Sequence, residues 1–176
     1  ELKLKGKSLV FTGVMDYEPN EDAMVYFIQE VFDKVAEKCP EVTLYIVGKN
    51  PTDKLKKLVI NRKNIIVTGK VDSVFSYIKS STIYISSLRI GSGKKNKIIE
   101  AISCGTPLIA STVSMEGFED IEDKNLILRA DSSNEWVENI CKLLSDEEKR
   151  IDIKKRMFNL LDESYSWKNI AKKLVE

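Results

Sequence analysis

Apolar residues in this chain fall into short unbroken runs, separated by stretches where they recur every three or four positions. The runs are Leu9-Val10-Phe11-Thr12, Thr43-Leu44-Tyr45-Ile46-Val47, Ile65-Ile66-Val67-Thr68, Thr82-Ile83-Tyr84-Ile85-Ser86, Pro107-Leu108-Ile109-Ala110-Ser111 and Leu126-Ile127-Leu128. Continuous apolar character, rather than alternation, marks strands covered on both faces and therefore parallel. Between the first two runs, Met24, Phe27, Ile28, Val31, Phe32 and Val35 trace one face of an amphipathic helix. Asn20 is expected to cap that helix, with Glu21 and Asp22 at its positive end, and Cys39-Pro40 ends it. Shorter helices are predicted over 53–60, 72–80 and 96–104. Ser132-x-x-Glu135 and Ser145-x-x-Glu148 read as capping boxes opening two more, and a last helix follows Tyr165-Ser166-Trp167. Parallel neighbours need crossover helices, so the pattern predicts an α/β fold. The expected sheet is doubly wound and parallel, of about six strands, with flanking helices and a helical C-terminus. No repeat or linker divides the chain, so residues 1–176 are expected to be a single domain.

Composition narrows the chemistry. The 176 residues are 43% hydrophobic and 31% charged, enough apolar material for a buried core. With 28 Lys+Arg against 27 Asp+Glu the net charge is +1, which argues against a basic nucleic-acid coat and against nucleic acid as a partner. The absence of histidine removes Ser-His and Cys-His nucleophile pairs and the commonest transition-metal ligand. Cys39, Cys104 and Cys141 are far apart in sequence and are expected to be reduced thiols in a cytoplasmic protein. No apolar run approaches the roughly 20 residues needed to span a bilayer. The chain opens on Glu1 rather than Met, and an excised domain is expected.

Three of the strand runs end in glycine, Gly13, Gly48 and Gly69, all on the rim where open parallel sheets bind ligands. The most informative stretch is Leu88 to Ser111. There a strand feeds Gly91-Ser92-Gly93, which feeds a helix start carrying Lys94, Lys95 and Lys97. Glycine amides, a helix dipole and lysines together make an anion site, with phosphate the obvious ligand. Without an anion, each lysine opposes the dipole by roughly 0.3–1 kcal/mol. Lys97 and Glu100 share a helix face. They suit either an exposed ion pair or a phosphate contact beside a carboxylate gripping ribose hydroxyls, and spacing does not choose between these. The G-x-G-x-x-G of a dinucleotide fold is missing after the first strand, and no Walker A pattern occurs. Asp16 stands alone where a phosphate-accepting receiver domain would cluster acids.

Glu100-Ala101-Ile102-Ser103-Cys104-Gly105-Thr106-Pro107-Leu108-Ile109-Ala110 resembles a signature of group 1 (family 4) GT-B glycosyltransferases. Further matches run along nearly the whole chain. They include Gly13-x-Met15, Pro19-Asn20-x-Asp22-Ala23, Ile46-Val47-Gly48 with Pro51, and Val67-Thr68-Gly69-x-Val71. Leu88 to Gly93, Glu116-Gly117-Phe118 and Tyr165-Ser166-Trp167 complete them. The variants look most like bacterial transferases of surface-polysaccharide synthesis. The resemblance implies the Rossmann-like C-terminal half of a GT-B enzyme, binding a nucleotide sugar for retaining, metal-independent transfer. UDP or GDP sugars are the expected donors, no cofactor is expected, and an N-terminal acceptor domain is expected as partner. Membrane contact at the inner face is implied only through that other half.

The same resemblance implies a role for each matched position. Glu100 binds the ribose hydroxyls, the amides from Gly93 to Asn96 cradle the diphosphate, and Lys97 neutralises the leaving group. Gly13 lies against the phosphates or sugar, and Gly69 to Val71 flank the base. Two departures stand out. The first glutamate of the family pair falls on Ser92, and Val14-Met15-Asp16 replace the Arg and Lys usual after the first strand. Arg89, Lys94 and Lys95 are expected to compensate, with Gly91 in the same loop. Trp136 and Trp167 are expected in the core or an interface, and Leu174 and Val175 at the partner domain. Two alternatives stay open: a related GT-B nucleotide-sugar enzyme of the 2-epimerase type, and a degenerate nucleotide-binding module.

Overall fold

The computed structural model describes residues 2–93, 95–118, 121 and 126–164. Six strands, β1 (Lys7–Thr12), β2 (Val42–Val47), β3 (Ile65–Gly69), β4 (Ile83–Ser86), β5 (Leu108–Ala110) and β6 (Ile127–Arg129), form one sheet. Its order is β3-β2-β1-β4-β5-β6 and every pairing is parallel. The strands are the apolar runs of the sequence, because only residues acceptable to two covering layers can fill them. All six residues of β2 are buried.

The long helix after β1 begins at Glu18. It runs as α1 (Glu18–Tyr26), loosens into a π-helical stretch over Phe27–Phe32, and ends as α2 (Asp33–Lys38). Its expected apolar face is wholly buried, from Met24 to Val35. The cap differs from expectation. Tyr17 holds the N-cap position, Pro19 sits in the first turn where its missing N–H costs nothing, and Asn20 lies buried inside the helix. The remaining helices are α3 (Asp53–Val59), α4 (Val74–Ser80), α5 (Asn96–Ser103), α6 (Ser133–Ser145) and α7 (Glu147–Ser164).

Ser132 and Glu135 close the expected capping box of α6, with Ser132 N–H donating to Glu135 Oε2 at 2.8 Å. The second expected box moves by one residue. Asp146 Oδ1 accepts from Lys149 N–H at 2.8 Å, while Ser145 Oγ donates back to Lys142 O. A carboxylate facing the start of α7 also meets the helix dipole favourably. Trp136 is buried edge-on against Phe27, with ring centroids 5.6 Å apart, and locks α6 to the π-helical stretch. Trp167, Leu174, Val175 and the Tyr165-Ser166-Trp167 motif lie outside the described residues.

All three cysteines are free, and folding brings the Cys39 and Cys141 sulfurs to 4.0 Å. Burial, with the Cys39 sulfur beside it, pushes the Cys141 thiol up to about 11. Among the described residues no helix is long and apolar enough to cross a membrane.

The carboxyl ends of β1, β2 and β3 are drawn together by backbone contacts. Gly13 N–H donates to Val47 O at 3.0 Å, and Gly48 N–H to Gly69 O at 3.2 Å. Gly48 has φ +147°, and a Cβ placed there would lie 1.8 Å from Gly13 O. Only backbone movement could relieve such a contact. Gly48→Ala is therefore expected to cost at least about 2–3 kcal/mol. Urea unfolding of the variant beside the parent chain measures this, and equal midpoints would refute the close packing.

Candidate functional site

The strand order reverses between β1 and β4, and the helices that follow these two strands leave a crevice at that point. Beside it, over the carboxyl ends of β1, β2 and β3, opens a cavity of about 550 Å³, lined by Thr12 at the end of β1, Gly13 after it, Gly48 after β2, Val71 after β3, and Glu100 from α5. Its floor is rigid: Thr12 Oγ1 and the Tyr84 hydroxyl share a 2.6 Å hydrogen bond, both buried. Burial holds Tyr84 far above the usual range for a phenol, so it stays neutral.

The other wall is the start of α5. Lys95 occupies the N-cap position without a side-chain cap, and no acid lies in the first turn. The first amides of the helix are thus left for water or an anion. Gly93, at φ +78°, has nothing within 4 Å of the Cβ position, so its backbone faces open space. Its N–H donates to Glu116 Oε2 at 2.9 Å, and Lys95 Nζ lies 3.7 Å from the same oxygen. Lys95 also donates to Gly93 O. The Glu116 side chain thus already occupies one amide of the glycine loop. Buried serines fix the flanks of this wall. Ser114 Oγ donates to Ser86 O at 2.7 Å and accepts from Leu88 N–H at 3.3 Å, while Ser111 Oγ donates to Leu88 O at 2.5 Å.

Lys97 projects from the first turn of α5 across the crevice. Its ammonium donates to Asn20 Oδ1 at 2.8 Å and lies 4.4 Å from the centroid of the Phe11 ring. The hydrogen bond thus crosses to α1 instead of running along α5 as an exposed ion pair with Glu100. Desolvation lowers the Lys97 pKa from the usual 10.5 to about 8; Glu100 counteracts this and Lys95 adds to it.

A family model described as glycosyl transferases group 1 matches residues 6–146. The chain belongs to this family. It is 33% identical over 140 residues to the uncharacterized glycosyltransferase MJ1069 of Methanocaldococcus jannaschii, an alignment covering 75% of this chain and 35% of that protein. MJ1059 of the same organism is 29% identical over 90 residues, covering 49% and 22%. The chain therefore spans about a third or less of the curated relatives it matches. Among solved structures, it superposes on a mutant of S. aureus TarM, in complex with fondaparinux, alpha-GlcNAc-glycerol and UDP, at TM-score 0.81. That match has 18% identity and covers 99% of this chain and 36% of the other. Anabaena HepE in complex with UDP gives TM-score 0.77 at 14% identity, over 97% and 49%. The fold is the Rossmann-like six-stranded parallel sheet found in these GT-B glycosyltransferase structures.

Within this group 1 domain, folding brings Gly13, Val71 and Glu100 to one cavity and sets Gly93, Lys95, Asn96 and Lys97 along the adjacent start of α5. Gly69 stands at the rim, bonded to Gly48, and Gly91 and Ser92 are exposed in the loop. Lys94 lies outside the described residues. Arg89 is not gathered with the others. Its guanidinium pairs with Asp22 at 3.2 Å and stacks over the Tyr26 ring at 4.6 Å. Sequence reasoning missed Phe75 and Lys49, which line the cavity, and it misjudged Asn20. Pro19 was the available signal for Asn20, since proline in a first turn moves the cap upstream.

The Lys97 shift has a consequence for stability. A lysine whose folded pKa is about 8 against 10.5 unfolded costs stability below pH 8, and that cost fades as pH rises toward 10.5. Replacing Lys97 with Met removes a penalty of up to ~3 kcal/mol. The stability of Lys97→Met relative to the parent is expected to fall on going from neutral pH to about pH 10. Urea melts of both proteins at the two pH values check this, and a pH-independent difference would contradict it.

Proposed function

We propose that this chain is the donor-binding half of a family 4 GT-B glycosyltransferase that takes a nucleoside diphosphate sugar into the rim cavity. One observation carries the reading: Glu100 lines the same glycine-rimmed cavity as Gly13 and Val71, next to the uncapped start of α5. In this reading Gly69 to Val71 flank the base and Glu100 accepts hydrogen bonds from the ribose hydroxyls. The amides from Gly93 to Asn96 cradle the diphosphate, displacing Glu116 from Gly93, and Lys97 stands beside the leaving phosphate. Neighbouring structures of TarM and HepE carry UDP, which supports a uridine nucleotide over the GDP alternative.

The chemistry follows from charge. Breaking the anomeric C–O bond moves negative charge onto the diphosphate while positive charge grows on the sugar. Fixed N–H donors and an ammonium at that end stabilise the leaving group in the way a metal ion would. Lys97, with its pKa near 8, remains charged at neutral pH and stands at this end of the site. Retention of anomeric configuration, a hexosyl donor and a role in surface polysaccharide at the cytoplasmic face of the membrane complete the proposal. The acceptor would be held by a second, N-terminal domain, for which the longer relatives leave room. Ser92, where the family pattern has a glutamate, favours a second reading in which the domain binds nucleotide without transferring sugar.

A thermal-shift panel of UDP, GDP, ADP and their sugars tests the proposal. At a hundredfold over Kd, one of them should add about 2.7 kcal/mol of stability. Glu100→Ala should abolish that shift. Stability unchanged by every nucleotide in the panel would overturn the donor reading. Sugar transfer by this chain alone would contradict the division of labour between two domains.

A further inference from the structure

Asn20 is a polar side chain in an apolar setting, only 6% exposed and inside a helix whose cap is elsewhere. Buried amides need partners, and both ends of this one have them. Nδ2 donates to Val14 O at 3.0 Å, and Oδ1 accepts from Lys97 Nζ at 2.8 Å. The amide also packs directly on the turn after β1. A Cβ at residue 13 would fall 2.6 Å from Asn20 Nδ2 and 2.8 Å from its Cγ. Asn20 therefore joins three things across the crevice: α1, the backbone of the β1 turn, and the ammonium from α5.

The choice of an amide matters. An ammonium has three donors, and one is spent on Asn20. A neutral oxygen orients the group without cancelling its charge, leaving two N–H bonds and a full positive charge for an anion. A carboxylate in the same place would fix the ammonium equally well and neutralise it. The ring of Phe11 attracts the ammonium but accepts no conventional hydrogen bond, so it does not direct the group as the Asn20 oxygen does.

We infer that Asn20 is a positioning residue, which holds the Lys97 ammonium charged, directed and tied to the β1 turn so that it meets the diphosphate end of the donor. The link to the donor rests on the function proposed above; the hold on Lys97 does not. The charged groups acting on Lys97 are Glu100, one turn along α5, and Lys95 at the start of that helix. From β1 it faces Phe11, from α1 the neutral Asn20, and the nearby Tyr84 of β4 stays protonated.

Two variants that keep the branching of asparagine at Cγ separate positioning from packing. The Lys97 side-chain resonance is followed by NMR titration of the lysine-labelled chain and assigned by its loss in Lys97→Met. Asn20→Asp should raise the Lys97 pKa by about a unit or more, and Asn20→Leu should lower it by a similar amount. UDP affinity near neutral pH should fall roughly tenfold in both, by charge cancellation in the first and lost orientation in the second. A Lys97 pKa that moves in neither variant overturns the inference, as does unchanged UDP affinity in a parent chain that binds UDP. If Asn20→Leu does not fold, Asn20→Asp decides alone, since it keeps the size of the side chain and gives up only the bond to Val14 O. A parent chain that ignores UDP defeats the donor reading, and the titration, which needs no nucleotide, still decides whether Asn20 holds Lys97.

Discussion

Parallel strands must be joined by helices that cross over the sheet, and this constraint shapes everything at the site. From β1 the chain winds outward to β2 and β3, then returns to the centre to lay β4 on the other side of β1. Neighbouring crossovers on one side pack against each other. Where the direction reverses they cannot, and a crevice opens above the carboxyl ends of β1 and β4. The glycine rim, the start of α5 and the inward face of α1 meet there because the topology leaves no other place for them to meet.

Backbone crowding then sets the shape of that crevice. Gly48 packs closely against the carbonyl of Gly13, and the side-chain amide of Asn20 packs against Gly13 itself. The first contact leaves residue 48 and the second leaves residue 13 without room for a side chain, so both present bare peptide to the cavity. Across the gap, the glycine loop before α5 exposes amides to an open space that Glu116 partly fills. An incoming anionic ligand would exchange one anion for another at that amide. The loop is thus kept satisfied in the free protein without being sealed.

The ammonium of Lys97 is the point at which fold and chemistry oppose each other. Desolvation beside Phe11 makes its charge costly, which is the opposite of what a purely structural lysine on a helix surface would show. The cost is tolerated because the surrounding elements hold the group on three sides. A cation kept partly dry and partly unsatisfied interacts strongly with whatever anion completes its shell. Glu100, facing the same cavity from the next turn of the helix, gives the site an acceptor of hydroxyl protons beside that cation.

The strands and helices were legible in the residue pattern, because burial on two faces demands unbroken apolar runs and burial on one face demands a helical period. The pattern also marked the Gly91-Ser92-Gly93 loop before α5 as a candidate anion site, since cations at a helix start oppose the dipole unless an anion binds. Local sequence determined these features. What it did not determine was the partner of each polar group. Asn20 reads as a cap until Pro19 and the packing of α1 turn it toward Lys97, 77 positions away. Arg89 reads as a phosphate ligand until Asp22 and Tyr26 claim it. A side chain's period along the chain says which face it occupies. Only the tertiary arrangement decides which charge or carbonyl waits on the far side of the crevice, because those partners are brought together by strand order and not by sequence distance.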